Sequence, residues 1–207
     1  RKYMKDNKKF AKIIFGVVCI IIVAVCIVIQ VVLKNEDKKL EEESKKYETL
    51  NITTTSGVEI ETEYIQIDNA KIYIKIPKNF KQLDYETITQ KYSGEVPSIV
   101  FSNDETTINL AISITKNEMK DSQIDYMEKI LESNSEIINK YVYEVNGHNI
   151  GKIELISDAA DTKVYNNMIC FSYNGNLIIV TFNCTEELRK EWINVGKFII
   201  DSLFFKE

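Results

Sequence analysis

Residues 13–33, "IIFGVVCIIIVAVCIVIQVVL", run for 21 positions without a charge. At about 1.5 Å per residue such a helix spans about 31 Å, close to the roughly 30 Å hydrocarbon core of a bilayer. A secretory h-region is shorter, about 7–15 residues, and ends at a small-x-small cleavage site. This run ends Ile29, Gln30, Val31, Val32, Leu33, Lys34, with no such site. A lipoprotein signal needs a small residue before its cysteine, whereas Val18 precedes Cys19 and Val25 precedes Cys26. We read the run as an uncleaved transmembrane helix. Cys19 and Cys26 are then small apolar side chains facing lipid, with palmitoylation or a helix–helix contact as lesser alternatives.

The flanks orient it. Residues 1–12 carry Arg1, Lys2, Lys5, Lys8, Lys9 and Lys12 against Asp6 alone, while "KNEDKKLEEESKKYE" on the other side sets five positives against six negatives. The positive-inside rule places the basic tail 1–12 in the cytoplasm and the rest of the chain outside the cell membrane. The chain carries −5 in all, and its first 12 residues carry +5, which leaves −10 on residues 13–207. That balance argues against phosphate-backbone binding, so no nucleic-acid partner is expected. Richness in Ile, Lys, Asn and Glu with two prolines points to a bacterial, AT-rich source.

Residues 34–56 read as a stalk and linker. Glu41–Lys45 and Glu42–Lys46 stand at i,i+4 in the favourable order. Leu40, Tyr47 and Leu50 make a thin apolar stripe, so a solvated helix is expected, with weak dimerisation as the lesser alternative. "NITTTSG" then breaks the helix. Residues 57–207 form one domain of a size that buries a proper core.

Within it, "VEIETEYIQI" and "AKIYIKI" alternate with period two around a turn at Asp68-Asn69, and Pro77 ends the second strand. "PSIVFSN" and "TTINLAISIT" predict a further strand pair. "MKDSQIDYMEKILESN" changes to helical period, with Ile124, Met127, Ile130 and Leu131 on one face. Two hairpins follow, turning at Asn146-Gly147 and Asn174-Gly175. A last helix opens at Thr185, a candidate N-cap, and buries Leu188, Trp192, Val195 and Ile199.

A two-residue turn at Asn174-Gly175 pairs Tyr173 with Asn176, Phe171 with Ile178 and Ile169 with Val180. Cys170 then lies opposite Ile179, and Cys184 points to the other face, which forbids a disulfide between them. Ile169, Phe171, Ile178 and Val180 make one face apolar, and Met168, Cys170, Leu177 and Ile179 the other. Both faces therefore need cover.

The order of elements, with "IPKNF", "VNGHNIGKIEL", "FSYNGNLIIVTF" and a closing "DSLFF", resembles the PsbP-like fold family over about residues 60–206. Phe80 stands where that family often has Trp. The resemblance implies an α+β fold, an antiparallel sheet covered by helices in an α/β/α sandwich, and a non-catalytic binding or assembly role. It transfers no ligand.

Candidate chemistry is sparse, and neither catalytic, cofactor-binding nor metal residues are assigned. His148 is the only histidine, which excludes two-His metal motifs, and its place beside a turn predicts a solvated side chain. Cys184 lacks a histidine partner and reads as an inert buried thiol. Asp158 and Asp161 share a loop, but calcium needs six to eight oxygens. "NIT" at Asn51 and "NCT" at Asn183 match a glycosylation sequon without meaning in a bacterium. The expected function is non-enzymatic: a single-pass membrane protein that presents an extracytoplasmic binding or assembly module. Its expected partners are the bilayer, through residues 13–33, and a protein at the cell envelope. The alternative is a structural subunit of an envelope secretion or conjugation complex.

Overall fold

The computed structural model describes residues 51–68, 70–92, 96–116, 135–159 and 162–206. The transmembrane run 13–33, with Cys19 and Cys26, lies outside them, as do the stalk to residue 50 and the expected helix bearing Ile124, Met127, Ile130 and Leu131. No helix among the described residues is long and apolar enough to cross a membrane. Residues 50–207 form one compact unit.

The fold is a mostly-sheet α+β domain with twelve strands among the described residues. These are β1 (Ile52–Thr53), β2 (Glu59–Ile60), β3 (Thr62–Gln66), β4 (Ile72–Pro77), β5 (Lys81–Gln82), β6 (Ile99–Ser102), β7 (Ile108–Thr115), β8 (Ser135–Val145), β9 (His148–Asp158), β10 (Lys163–Tyr173), β11 (Asn176–Thr185) and β12 (Phe204–Phe205). Seven of them make one antiparallel sheet in the order β5-β6-β7-β11-β10-β9-β8. A smaller sheet has the order β12-β4-β3, and β1 pairs with β2 alone.

The hairpin registers follow from their turns. Asn146 and Gly147 (φ 48° and 79°) and Asn174 and Gly175 (φ 49° and 78°) take the left-handed conformation that a two-residue type I′ turn requires. The β10–β11 ladder accordingly pairs Tyr173 with Asn176, Phe171 with Ile178, Ile169 with Val180 and Cys170 with Ile179. Cys184 pairs with Tyr165, and both Cys170 and Cys184 are free thiols. Asp68, also at positive φ (48°), turns β3 into β4.

Two expectations change at the front of the domain. "VEIETEYIQI" is two strands, because Glu59–Ile60 turns back on Ile52–Thr53 whereas Thr62–Gln66 pairs with β4. The boundary at residue 57 thus falls inside the β1–β2 hairpin. That hairpin is tied to the closing helix: Thr55 donates from its N–H to the Glu191 carbonyl (3.2 Å) and from its hydroxyl to the Lys190 carbonyl (2.6 Å). The Ser56 N–H reaches the Glu191 carboxylate at 3.1 Å.

Two α-helices occur among the described residues. The first, α1 (Tyr85–Lys91), was not expected. Its signal was present: Asp84 caps it by accepting from the Thr87 N–H at 2.7 Å, and Glu86 and Lys91 suit its two ends. The second, α2 (Arg189–Asp201), follows a 3-10 turn at Glu186–Leu188. Thr185 sits at the N-cap with extended backbone, but its side chain makes no capping bond.

The core lies between α2, the small sheet and one face of the large one. Ile112, Leu110, Phe182, Val180, Ile169, Phe171 and Ile150 line that face, opposed by Val195, Ile199 and Ile200 of α2 and by Ile72, Ile74 and Ile76 of β4. Leu188 and Trp192 are only partly buried against this core, Trp192 6.3 Å from Phe80 between ring centroids. On the other face α1 sets Ile88 against Val100 and Ala111, and Ile153, Leu155 and Cys170 are buried. Gly196 of α2 lies so close to Phe182 that a methyl group there would collide with the ring. Ser202, just beyond α2, accepts from the Lys75 N–H (2.8 Å) and donates to the Ile199 carbonyl (2.6 Å), joining helix to small sheet.

Candidate functional site

The residues singled out by sequence do not converge. His148 does follow the first Asn-Gly turn, but it is half-buried rather than solvated. Its ring stacks on Phe205 at 4.1 Å and meets Tyr173 at 5.5 Å. The expectation failed because Phe205 arrives from the far end of the chain when β12 adds to β4. Cys184 is wholly buried, and burial, helped by the nearby Glu186 charge, pushes its thiol up to about 12. Burial likewise raises Cys170 to about 11. Asp158 pairs with Lys163 at 3.6 Å, and Asp161 lies outside the described residues. Among the described residues no group of three or more His, Cys, Asp or Glu side chains could hold a metal ion.

The two sequon asparagines also part ways. Asn51 is exposed and donates to Glu59 at 2.6 Å. Asn183 is buried, and its Oδ1 accepts from Asn109 at 2.8 Å, in a chain that continues from Ser102 to Asn109 at 2.7 Å. A side chain already used in this way cannot carry a glycan in the folded domain.

The densest polar chemistry lies where α2 crosses β9 and β10. Lys152 Nζ meets Asp201 Oδ1 at 2.5 Å and stands 5.7 Å from the centre of the Tyr141 ring. Burial alone would lower this ammonium, yet the hydrogen bond and charge of Asp201 outweigh it and hold its pKa above the ordinary lysine value. Glu154 accepts from the Tyr165 hydroxyl at 2.9 Å and faces Lys197 at 3.6 Å. Arg189 lies 5.2 Å over the Tyr165 ring. Burial first, and then the bond to Glu154, raises the Tyr165 phenol well beyond its ordinary range. These groups neutralise one another. The Tyr165 hydroxyl has the Glu154 carboxylate within hydrogen-bond reach, but its side chain is wholly buried.

Their position gives the cluster its meaning, because it backs the edge of the large sheet. β8 is 11 residues long and, among the described residues, has β9 as its one neighbour in the sheet. Its side chains Ile138, Tyr141 and Val142 are 40%, 44% and 52% exposed. The turn closes on the pair Val145–His148, so alternate residues Val145, Tyr143 and Tyr141 exchange main-chain bonds with β9. Glu144, Val142 and Lys140 therefore turn their N–H and C=O groups outward. At the other end of the strand the edge is blunted. A bulge interrupts pairing between Ile137 and Asn139, and Asn139 Oδ1 accepts from the Lys140 N–H at 2.9 Å. The outward-facing main chain continues through Val142 and Glu144, with Tyr141 held from behind by Lys152 and lying obliquely to Tyr143 at 5.7 Å.

This architecture is the PsbP-like fold. The domain superposes on the cyanobacterial PsbP protein of Synechocystis with a TM-score of 0.53, covering 76% of this chain and 99% of that one at 13% identity. Weaker likenesses are to LpqN, involved in cell envelope biogenesis of Mycobacterium tuberculosis (TM-score 0.48, 8% identity, 72% and 92% coverage), and to a putative regulator from Pseudomonas aeruginosa (0.43, 12%, 70% and 98%). At these identities the likeness is one of fold alone. No family model matches the chain, and no curated protein matches it in sequence.

Proposed function

We propose that this protein is a single-pass membrane protein whose PsbP-like domain stands outside the cell as a non-catalytic binding or assembly module. The observation that carries the reading is β8, which among the described residues is the edge strand of the large sheet. A long edge strand that exposes apolar side chains is a liability unless it is covered or used, and strand addition is a common mode of protein recognition. The two buried charges point the same way, since Lys152 and Glu154 are each matched by a more exposed partner, Asp201 and Lys197. The 21-residue apolar run and its basic flank support the anchor and its orientation.

The test is protease added to intact protoplasts, combined with a crosslinking pulldown from the same membranes. The reading expects digestion of everything beyond about residue 36, the start of the polar flank after one span, with the tail protected and a protein captured on the domain. A C-terminal reporter active only in the cytoplasm would overturn the orientation. Stable co-purification with a large multi-protein membrane complex would favour a structural subunit of an envelope machine instead.

A further inference from the structure

We propose that the β1–β2 hairpin is an acid-released strap, latched at neutral pH onto the first turn of α2 by the Glu191 carboxylate and freed when that carboxylate takes up a proton. The proposal does not depend on the function proposed above.

The turn of the hairpin is shaped to hold an anion. The Thr54 N–H donates to the Val58 carbonyl at 2.9 Å and the Gly57 N–H to the Thr54 carbonyl at 3.0 Å, with Gly57 at φ 90°, a conformation that favours glycine. The turn closed in this way aims Ser56 at α2. Its N–H lies 3.3 Å from Glu191 Oε1 and 3.1 Å from Oε2, and its hydroxyl donates to Oε1. One carboxylate thus collects both donors of Ser56. Thr55 beside it adds the two bonds to the carbonyls of Lys190 and Glu191.

The rest of the fastening is slight among the described residues. The ladder has two rungs, Ile52–Ile60 and Thr53–Glu59, and a two-stranded hairpin alone is marginal in water. Ile60 joins the core with Ile52 partly buried beside it, while Val58 at the turn is 57% exposed. A segment held largely by solvent-exposed hydrogen bonds opens before the body of the domain does.

The titration has a definite sign. The Ser56 hydroxyl first, and then the Thr54 hydroxyl, hold Glu191 below the ordinary value of 4.5, and desolvation opposes them only in part. A protonated carboxyl has lost the charge that strengthens these bonds. Because the folded pKa is the lower one, the latch is complete above 4.5 and is lost as the pH falls through the folded value. Glu59 is the only titratable side chain of the hairpin, and it is occupied with Asn51. Glu61, next along the chain, pairs with Lys78. On the helix side Arg189 pairs with Glu186, while Glu187 and Lys190 bring opposite charges to the same turn.

Trp192, the one tryptophan of the chain, follows Glu191 and is partly buried against the core that Ile60 joins. It therefore reports on the strap. In the full chain purified in mild detergent, acrylamide quenching of Trp192 should rise about twofold between neutrality and about pH 3, with the sheet signal in circular dichroism retained. Glu191→Gln cannot ionise. It should be quenched at neutrality as the wild type is in acid, and should not respond to pH. Glu59→Gln should respond as the wild type does. Ser56→Ala removes the first cause of the lowered pKa and should move the transition up toward 4.5.

A wild-type Trp192 indifferent to acid, a Glu191→Gln chain that still titrates, or an unmoved transition in Ser56→Ala would each overturn the proposal. So would quenching that rises only together with loss of the sheet, since the domain would then be unfolding as a whole.

Discussion

Lys152 and Asp201 form an unequal pair: their 2.5 Å contact joins a lysine side chain 3% exposed to an aspartate 57% exposed. Removing the acid strands a buried ammonium, whereas removing the lysine leaves a carboxylate half in water. Breaking a wholly buried pair from one side costs roughly 3–5 kcal/mol. Water at Asp201 screens part of that, so Asp201→Asn should destabilise the protein by about 2 kcal/mol. Lys152→Met, an apolar replacement of similar volume, should stay within about 1 kcal/mol of wild type. Denaturant titration of both variants checks this; equal losses would refute the asymmetry.

Alkaline solution should unfold the domain. Burial raises Cys170 to about 11 and Cys184 to about 12, from 9.0. Burial also raises the phenols of Tyr143 and Tyr165. A group whose folded pKa lies above its unfolded one contributes stability that is complete below the unfolded value and lost as the pH climbs to the folded one. For the thiols that window runs from 9 to about 12. Lys75 and Lys91, both lowered by burial, act in the opposite sense and only soften the fall. Melting temperatures followed through this range should drop, and Cys184→Val should flatten the drop. A flat profile for the wild type would show that these groups are not buried as described.

Gly196→Ala should destabilise although it improves helix propensity. Alanine gains up to about 1 kcal/mol over glycine inside a helix. Here the added methyl meets the Phe182 ring, and overpacking costs about 1–3 kcal/mol. The collision should win. Adding Phe182→Leu should recover part of the loss, which a thermal melt of the three variants would read.

Asn167 invites the opposite kind of change. It is wholly buried between Glu154 and Phe182 on the face beneath α2, and neither its Oδ1 nor its Nδ2 has a partner. An unsatisfied buried amide costs about 1–3 kcal/mol. Asn167→Leu, similar in size, should therefore raise stability by about 1 kcal/mol or more. A loss on substitution would reveal a water molecule bridging the amide.

Local rules made the hairpins legible. Asn-Gly at 146–147 and 174–175 sets a turn, the turn sets a register, and the register assigns each β10 and β11 residue to a face. The tip of α2 was legible for the same reason, with Val195 and Ile199 buried one turn apart. What stayed hidden depends on distant partners. His148 reads as a turn residue until Phe205 arrives from 57 residues away. The "VEIETEYIQI" alternation gives no hint that it splits at Glu61, where the carbonyl accepts from the Lys78 N–H at 2.9 Å. Helix α1 was missed because seven residues show too little periodicity, although Asp84 announced its start. The β8 strand lay in plain view as "NKYVYEV", but only the sheet order reveals that no other described strand lies beyond it.

The tie between the β1–β2 hairpin and α2 also decides where tension enters the domain. A pull on the chain at Asn51 passes through two rungs of pairing, Ile52–Ile60 and Thr53–Glu59. It then reaches the bonds from Thr55 and Ser56 to Lys190 and Glu191. From there the load falls on the first turn of a helix seated on β10 and β11, the middle of the large sheet. A pull at Asn51 is therefore met at the centre of the core rather than at the edge of the sheet.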